Sequence, residues 1–371
     1  MLYFIIIFGI TLLYFIIIIS FIYGWKNINF YKKGHIGPSF PFISLVIAAR
    51  NEEKNISNLI NALAQQSIGA SGFEIILVDD HSTDNTLQIA KSFESIVKNL
   101  TIHSLKENTG KKHAISLGIK HSNGNLIVTT DADCIPHKNW LETIAGFYTL
   151  HQPKLIIGPV LMRGNSFFKK IQALDFFALM TSGGAATGIK KPIMCNGANL
   201  AFEKESYLEL TDPQYSKEVS GDDVFLMLSL KKNYQDNILF LKSEQATVIT
   251  EPENSFINFI AQRKRWASKS KSYKDFDILF VSVTVLLMNL SLLTNLILII
   301  FSSCFLWIFL LQLLLKSMVD FIFLYDTSFD FKQQKLLKYF LPAQIFNVVM
   351  IPYLAIAGIT GSITWKGRNA M

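Results

Sequence analysis

The sequence predicts an α/β domain with a mainly parallel sheet, set between apolar helices that span a membrane. Three observations carry that prediction. Half of the 371 residues are apolar, and they crowd into Met1–Tyr23 and the region beyond Asp277. Between those regions, strand-like apolar runs alternate with helical patterns, as in successive βαβ units. Three of the runs end in polar or acidic residues, Ala48-Ala49-Arg50-Asn51, Val78-Asp79-Asp80 and Thr130-Asp131-Ala132-Asp133, which puts charge along the edge where open α/β sheets bind ligands.

Met1 to Tyr23 carries no charge and is long enough to cross the hydrocarbon layer at about 1.5 Å per residue. It lacks the basic start and small-residue cleavage site of a removed leader, so it reads as an anchor. Lys26, Lys32 and Lys33 follow it, and Arg263, Lys264, Arg265, Lys269, Lys271 and Lys274 precede the next apolar region. By the positive-inside rule both flanks, and the insert between them, face the cytosol. The net charge of +7 is therefore a topology signal with some attraction to anionic headgroups, and no nucleic-acid module accompanies it. Cys134, Cys195 and Cys304 show neither metal spacing nor a disulfide framework, which suits packing residues in a reducing compartment. The expectation is a multi-pass protein of an inner cell membrane with a cytoplasmic insert.

Within the insert, Ile43–Ala48 is the first strand, and Arg50-Asn51-Glu52-Glu53 is expected to open a helix with Asn51 as its cap. Phe73–Val78 is the second strand. The Asp79 and Asp80 carboxylates that follow could accept hydrogen bonds from a base or ribose, while the Asp/Ser run also caps a helix over 84–92. Asn108-Thr109-Gly110-Lys111-Lys112-His113-Ala114 is not a Walker loop, yet a lysine near a helix start can neutralise a diphosphate. Leu126–Thr130 then delivers Asp131 and Asp133, two residues apart and able to meet one hard cation through oxygen; magnesium or manganese bridging a diphosphate fits best. In Ser220-Gly221-Asp222-Asp223, the glycine permits an unusual turn and the acids fall at a helix start, which keeps a carboxylate ionised.

Phe256, Ile257, Phe259, Ile260 and Trp266 recur at helical spacing against Arg263, Lys264, Lys269 and Lys271, the pattern of an amphipathic helix over 255–274 lying in the membrane interface. The region 278–363 follows. Ile278–Tyr325 fits two spans with a turn near Phe301–Cys304, and Lys316 and Asp320 lie four apart, placed to pair on one face. Leu341–Ile363, with Pro342 and Pro352, is a further span or a re-entrant segment. A re-entrant course would reconcile Lys332, Lys335 and Lys338 before it with Lys366 and Arg368 after it, since both sets favour the cytosol.

Taken together, Ala49-Arg50-Asn51-Glu52-Glu53, Val78-Asp79-Asp80-His81-Ser82-Thr83-Asp84, Gly110-Lys111, Asp131-Ala132-Asp133, Asn196-Gly197-Ala198-Asn199, Gly221-Asp222-Asp223 and Gln262-Arg263-Lys264-Arg265-Trp266 resemble, in order, the motifs of family 2 glycosyltransferases of the GT-A fold. More narrowly the chain resembles the membrane-embedded branch with ceramide glucosyltransferases and the hyaluronan, chitin and cellulose synthases. That resemblance implies a Rossmann-like GT-A domain over 39–254 and a nucleotide-sugar donor, a UDP-sugar first among them. It implies a donor site of Ala49, Arg50, Glu52, Asp79, Asp80, Lys111 and Asp131, with Asp79 or Asp80 on the uracil and ribose. Asp131 and Asp133 would hold the metal, Asp133 more directly, and Asp223 would be the general base. Asn196, Gly197, Asp222, Gln262, Arg265 and Trp266 would surround the acceptor and close over the diphosphate. Asp222 departs from the glutamate common at its place. The implied reaction is inverting transfer to a membrane lipid or lipid-linked acceptor. A processive polysaccharide synthase and a non-catalytic nucleotide-binding protein are the alternatives; few spans disfavour the first, and a full set of acids the second.

Overall fold

The computed structural model describes residues 1–32, 40–107, 109–210 and 222–360, with the pairs 364–365 and 368–369. The chain divides into two compact units, one of Met1–Asn27, Gly164–Ile193 and Pro252–Met371, the other of Ile28–Arg163 and Met194–Glu251.

The first unit is helical. Leu2–Asn27, Phe276–Leu298, Cys304–Asp330 and Gln334–Gly358 are each long and apolar enough to cross a membrane. The break between the second and third falls at the expected turn. Pro342 sits in the first turn of the Phe340–Thr360 helix, where a missing N–H costs nothing, and Pro352 lies inside it. Two sets of polar side chains inside this unit are paired among themselves. Lys316 Nζ lies 2.8 Å from Asp320 Oδ2 and 2.5 Å from Gln344 Oε1, while Tyr14 donates to Asp320 Oδ1 at 2.7 Å. Lys316 is buried, so the ammonium is held by partners rather than carried out to a headgroup. Nearer the start of the chain, Tyr3 donates to Asn295 at 2.5 Å, Asn295 to Gln312 at 2.9 Å, and Gln312 to Ser291 at 2.7 Å.

The second unit is built on β1 (Ile43–Ala49), β2 (Phe73–Asp79), β3 (Leu100–Ser104), β4 (Leu126–Asp131), β5 (Ile135–Pro136), β6 (Leu155–Ile157), β7 (Val160–Met162), β8 (Leu200–Glu203), β9 (Ile238–Phe240) and β10 (Val248–Thr250). Seven strands form one sheet in the order β3-β2-β1-β4-β8-β6-β9, parallel throughout except that β8 runs against both its neighbours. A small sheet joins β5, β10 and β7. Parallel sheets need both faces covered, and Ile43, Leu45, Val46 and Ile47 of β1 are all fully buried. On one face lies the Lys111–His121 helix, close enough that a Cβ at Gly118 would fall 2.3 Å from Val46 Cγ1. The Ile56–Ala64 helix buries Ile56, Leu59, Ile60 and Leu63, the i, i+3, i+4, i+7 spacing of one helical stripe.

Register places the site. Ala49 pairs with Asp79, Ala48 with Asp131, and Asp79 with Ser104, so β1, β2, β3 and β4 end level. Two local expectations fail here. The helix after β1 starts at Ile56, not at Arg50, because Asn51 takes a left-handed φ of 52° and turns the chain instead. The next helix starts at Thr86, with the acid at Asp84 kept outside it.

Asn199 ties the far half of this unit together. Its amide accepts from Trp140 Nε1 at 2.9 Å and donates to Pro159 O and Ala246 O, each at 2.8 Å, all fully buried. Asn199→Ala leaves three buried groups unpaired, and each such loss costs about 1–3 kcal/mol. The expected result is a clearly lower melting temperature of the purified protein; an unchanged one would refute this account of the amide.

Candidate active site

The level ends of β1 and β2 are clasped by their own loops. Ser82 Oγ accepts from Asn51 N at 3.0 Å, Thr86 Oγ1 from Glu52 N at 2.7 Å and Asp84 Oδ2 from Glu53 N at 3.2 Å. In return Asn51 Oδ1 accepts from Thr83 N at 2.8 Å, and Glu53 from Asn85. Asn51 at φ 52° and His81 at φ 55° are the left-handed residues that aim these groups at one another. Burial works to raise the Asp84 carboxyl, but hydrogen bonds from Thr86 and the Glu53 amide hold it below the usual range. Arg50 Nη1 donates to Asp80 O at 2.8 Å and bridges the two strand ends, with Ala49 O accepting from Asp80 N at 2.8 Å.

Asp79 and Asp80 are both buried and differ in what they accept. Asp80 Oδ2 takes Gly110 N at 3.0 Å, and its Oδ1 lies 3.3 Å from His81 Nδ1. Asp79 Oδ2 takes Ser82 N at 3.2 Å, whereas its buried Oδ1 has no partner among the described residues. Gly110 holds φ 106°, a conformation that requires glycine, and starts the helix whose first residue is Lys111.

Lys111, Asp131, Gly197 and Asp223 then come together. Lys111 Nζ lies 2.5 Å from Asp131 Oδ1, and Asp223 Oδ2 accepts from Gly197 N at 3.0 Å. A Cβ at Gly197 would lie 3.1 Å from Lys111 Nζ and 3.4 Å from Asp223 Cβ, so this glycine is the point where the two charged chains meet. Thr129 Oγ1 fixes it from below by donating to Gly197 O at 2.8 Å, and Asn196 Oδ1 closes the turn onto Ala198 N at 2.9 Å. Asp223 lies at the start of the Asp222–Tyr234 helix, and its Oδ1 accepts from Val224 N at 2.8 Å. The side chain of Asp222 lies outside the described residues, as do Gly221 and Asn108.

Oxygens of Asp131 and Asp133 and the sulfur of Cys134 lie within 4.8 Å of one another, the one cluster of metal-ligating type found among the described residues. Burial, aided by Asp133 and Asp131, pushes the Cys134 thiol well above its ordinary range. Its sulfur lies 3.5 Å from Asp133 Oδ1, and a hard cation prefers oxygen to sulfur. The donors that fit a hard cation are therefore the two carboxylates, the half-buried Asp131 and the exposed Asp133.

The remaining expected residues belong to the helical unit and are described by themselves. Gln262, Arg265 and Trp266, all half-buried, lie on the Phe256–Ser268 helix, which Ser255 caps by accepting from Asn258 N at 3.1 Å. Phe256 and Ile257 are exposed, as an interfacial helix requires, but Phe259 is buried against Phe168 and Phe346. Arg263 is a correction. It was expected on the basic face, and it is instead buried with Nη2 2.6 Å from Asp175 Oδ2 and its guanidinium 4.4 Å from the Trp266 ring centre. The carboxylate that draws it inward comes from the Phe167–Gly188 helix, so helical spacing alone could not reveal it.

The sequence profile described as Glycosyl transferase family 2 matches residues 44–210, which hold the clasped loops and both metal-type carboxylates. These residues belong to glycosyl transferase family 2. The family match accords with similarity to Glycosyltransferase AglE of Haloferax volcanii, 31% identical over 193 residues that make up 50% of this chain and 60% of that one. The 4,4'-diaponeurosporenoate glycosyltransferase of Staphylococcus aureus is 32% identical over 130 residues, 35% of this chain and 32% of its own. The chain thus spans less than two thirds of the length of either relative. Among solved structures, the mannosyltransferase PcManGT of Pyrobaculum calidifontis, in complex with GDP-Man and Mn2+, matches with a TM-score of 0.57 at 14% identity, over 95% of this chain and 94% of that one. The family 2 domain accordingly has the GT-A fold, a mainly parallel sheet with one reversed strand.

The state of Cys134 in this domain is open to a direct check. Thiolate is the reactive form, so the folded protein should label with iodoacetamide at Cys134 far more slowly than after denaturation, read by mass spectrometry. Rapid labelling of the folded protein would show an accessible thiolate and return the sulfur to the set of metal donors.

Proposed function

We propose that the chain is an inverting glycosyltransferase that moves a sugar from a nucleoside diphosphate donor, a UDP-sugar, to a membrane lipid or lipid-linked acceptor. The observation that carries this reading is the meeting of Asp223, Gly197, Lys111 and Asp131 within one cluster, 2.5–3.0 Å apart where they bond. In this reading the acceptor hydroxyl oxygen bonds to the anomeric carbon as the bond to the diphosphate oxygen breaks. Asp223 takes the hydroxyl proton, and no covalent sugar–enzyme intermediate intervenes, so the centre inverts. Magnesium or manganese held by Asp131 and Asp133 would supply positive charge beside the leaving diphosphate. Lys111 adds a second cation from the start of its helix. Asp79 is the better of the two buried acids for the nucleotide, because its Oδ1 needs a donor and a base N–H or ribose hydroxyl offers one. Ala49, Arg50 and Glu52 then act mainly by shaping the loop that carries this edge, and Asn196 by holding Gly197.

The lipid acceptor follows from the four long apolar helices and the exposed Phe256 and Ile257. Four such helices among the described residues are few for a polymer channel, which favours single transfer over processive synthesis. The basic residues beside the helices support a cytosolic family 2 domain.

Three outcomes are expected. Asp223→Asn folds and binds donor but turns over about 10²–10⁴-fold more slowly, in assays that separate lipid-soluble product from polymer across a panel of labelled nucleotide sugars. Near-normal turnover at saturating substrates would mean another base. Chelation abolishes activity, manganese or magnesium restores it, and Asp133→Asn raises the metal concentration needed; full turnover in chelator would end the metal role. A cysteine placed at the exposed Lys138 stays unlabelled by an impermeant maleimide in intact cells and labels after lysis.

A further inference from the structure

The Phe340–Thr360 helix belongs to a segment long and apolar enough to cross a membrane, but its neighbours within the helical unit fix where its two ends lie. The Phe276–Leu298 and Cys304–Asp330 helices are joined by residues 299–303 alone, so they go across and return, and Phe276 and Asp330 share one side. Trp25 Nε1 donates to Asp330 at 2.8 Å, which puts the end of the Leu2–Asn27 helix on that side as well. The Phe167–Gly188 helix lies at the same level, because Gly24 packs against the Ala185 backbone with no room for a Cβ. The chain beyond Asp330 stays there: Phe331 meets Phe177, and Tyr339 meets Phe167, with ring centres 6.4 and 5.6 Å apart.

The far end is fixed by the Phe256–Ser268 helix. Phe346 meets Phe259 with ring centres 5.9 Å apart, Lys264 Nζ lies 5.6 Å from the Tyr353 ring centre, and a Cβ at Gly358 would fall 2.8 Å from Ala267 Cβ. These contacts advance in the same direction along both helices, so the two lie side by side. Ala267 comes shortly before Asp275, the cap of the Phe276–Leu298 helix, and Lys264, Arg265, Lys269 and Lys271 flank it in sequence. A segment so charged belongs at the interface and not in the hydrocarbon, which returns Gly358 to the side that Tyr339 left.

The middle of the helix agrees. Asn347 Nδ2 donates to Asp175 Oδ1 at 3.4 Å, and Asp175 Oδ2 holds the buried Arg263 at 2.6 Å. An upright span would draw this ion pair and Lys264 towards the bilayer centre, where ionised groups are most costly. Away from those contacts, Leu341, Ile345, Val349 and Ile356 are all exposed, at spacings of four, four and seven residues that form one stripe.

We propose that the Phe340–Thr360 helix is a lipid-docking surface that lies inclined within one leaflet beside Phe256–Ser268, with its exposed stripe among the acyl chains of that leaflet and both its ends on one side. This rests on the reading that the apolar helices lie in a membrane. Leu2–Asn27, Phe276–Leu298 and Cys304–Asp330 are then the crossing helices among the described residues. The exposed Lys332, Lys335 and Lys338 at its entry meet headgroups, and Lys366 and Arg368, which follow it in sequence, fall on the same side as those lysines.

The test uses the full-length protein in cells and in reconstituted bilayers. Lys335→Cys and Lys366→Cys are each probed with an impermeant maleimide before and after lysis, and the exposed Cys304, at the far end of the returning pair, marks the opposite side. Both substituted positions are expected to label from one side and Cys304 from the other. Labelling of the two positions from opposite sides would overturn the proposal, whereas labelling of both from outside would support it and overturn only the cytosolic placement. Spin labels at Ile345 and Ile356 give a second reading, through power saturation by oxygen and by a nickel chelate. An upright helix would separate them by about 16 Å of depth, and an inclined one within a leaflet by less than about half of that. Depths that put Ile356 in the leaflet opposite Ile345 would overturn the proposal. Release of the whole protein by alkaline carbonate without detergent would instead overturn the membrane reading beneath it, and the two failures are thereby told apart.

Discussion

Strands that end level concentrate whatever their last residues carry, and here they carry acid. Ala49, Asp79, Asp131 and Ser104 fall within one register step across four parallel strands, and Asp80 follows directly. A set of donors surrounds that edge: the amides of Ser82 and Gly110 on Asp79 and Asp80, and the ammonium of Lys111 on Asp131. The left-handed turns at Asn51, His81 and Gly110 belong to the same constraint, since each points a backbone group where an ordinary turn would not. The donors do not satisfy the edge fully. Asp79 Oδ1, buried, has no partner among the described residues.

The motif after β2 shows how one short run can serve two purposes. Ser82, Asp84 and Thr86 have the composition of a helix cap, and Asp84 does accept from Thr86 N at 3.0 Å. Yet Ser82 and Thr86, and the second oxygen of Asp84, accept from the amides of Asn51, Glu52 and Glu53, which belong to the loop after β1. Each loop thus satisfies the other's backbone, and neither needs a helix to begin at once. The edge is rigid because the two loops are one structure.

This explains what was legible in the sequence. The strands, their alternation with helices and the long apolar helices are local signals, set by side-chain chemistry within a few residues, and they are present in the regions read for them. The Lys316–Asp320 pair is also local, one helical turn apart. Asn51 was misread because a polar residue before acids fits both an N-cap and a left-handed turn, and only the partner loop decides between them. Arg263 was misread because its neighbours on the helix are lysines, while the carboxylate that buries it stands on another helix. Asn199 and Thr129 carried no signal beyond membership of a motif or strand, for their partners Trp140, Ala246 and Gly197 are assembled only by the sheet. The roles of Gly221 and Asp222 fall outside the described residues.

The helical unit obeys a different rule. In lipid, apolar helices gain little by choosing one neighbour over another, so polar side chains inside them fix which faces meet. Lys316, Asp320, Gln344 and Tyr14 form such a set: one cation and one carboxylate, with the amide of Gln344 donating to Asp320 and accepting from Lys316. Removing any member leaves a buried charge or dipole without its partner, which is far costlier than the net gain from forming the set. The tyrosine comes from the Leu2–Asn27 helix and the others from the two helices late in the chain, and Tyr3 with Asn295, and Trp25 with Asp330 at 2.8 Å, repeat the connection at either end. Three polar ties along one helix fix its rotation and its depth together. The Leu2–Asn27 helix is therefore held in register as an integral part of the bundle, with a defined face turned inward, and apolar residues such as Phe4, Ile5 and Phe8 stay exposed on its other side.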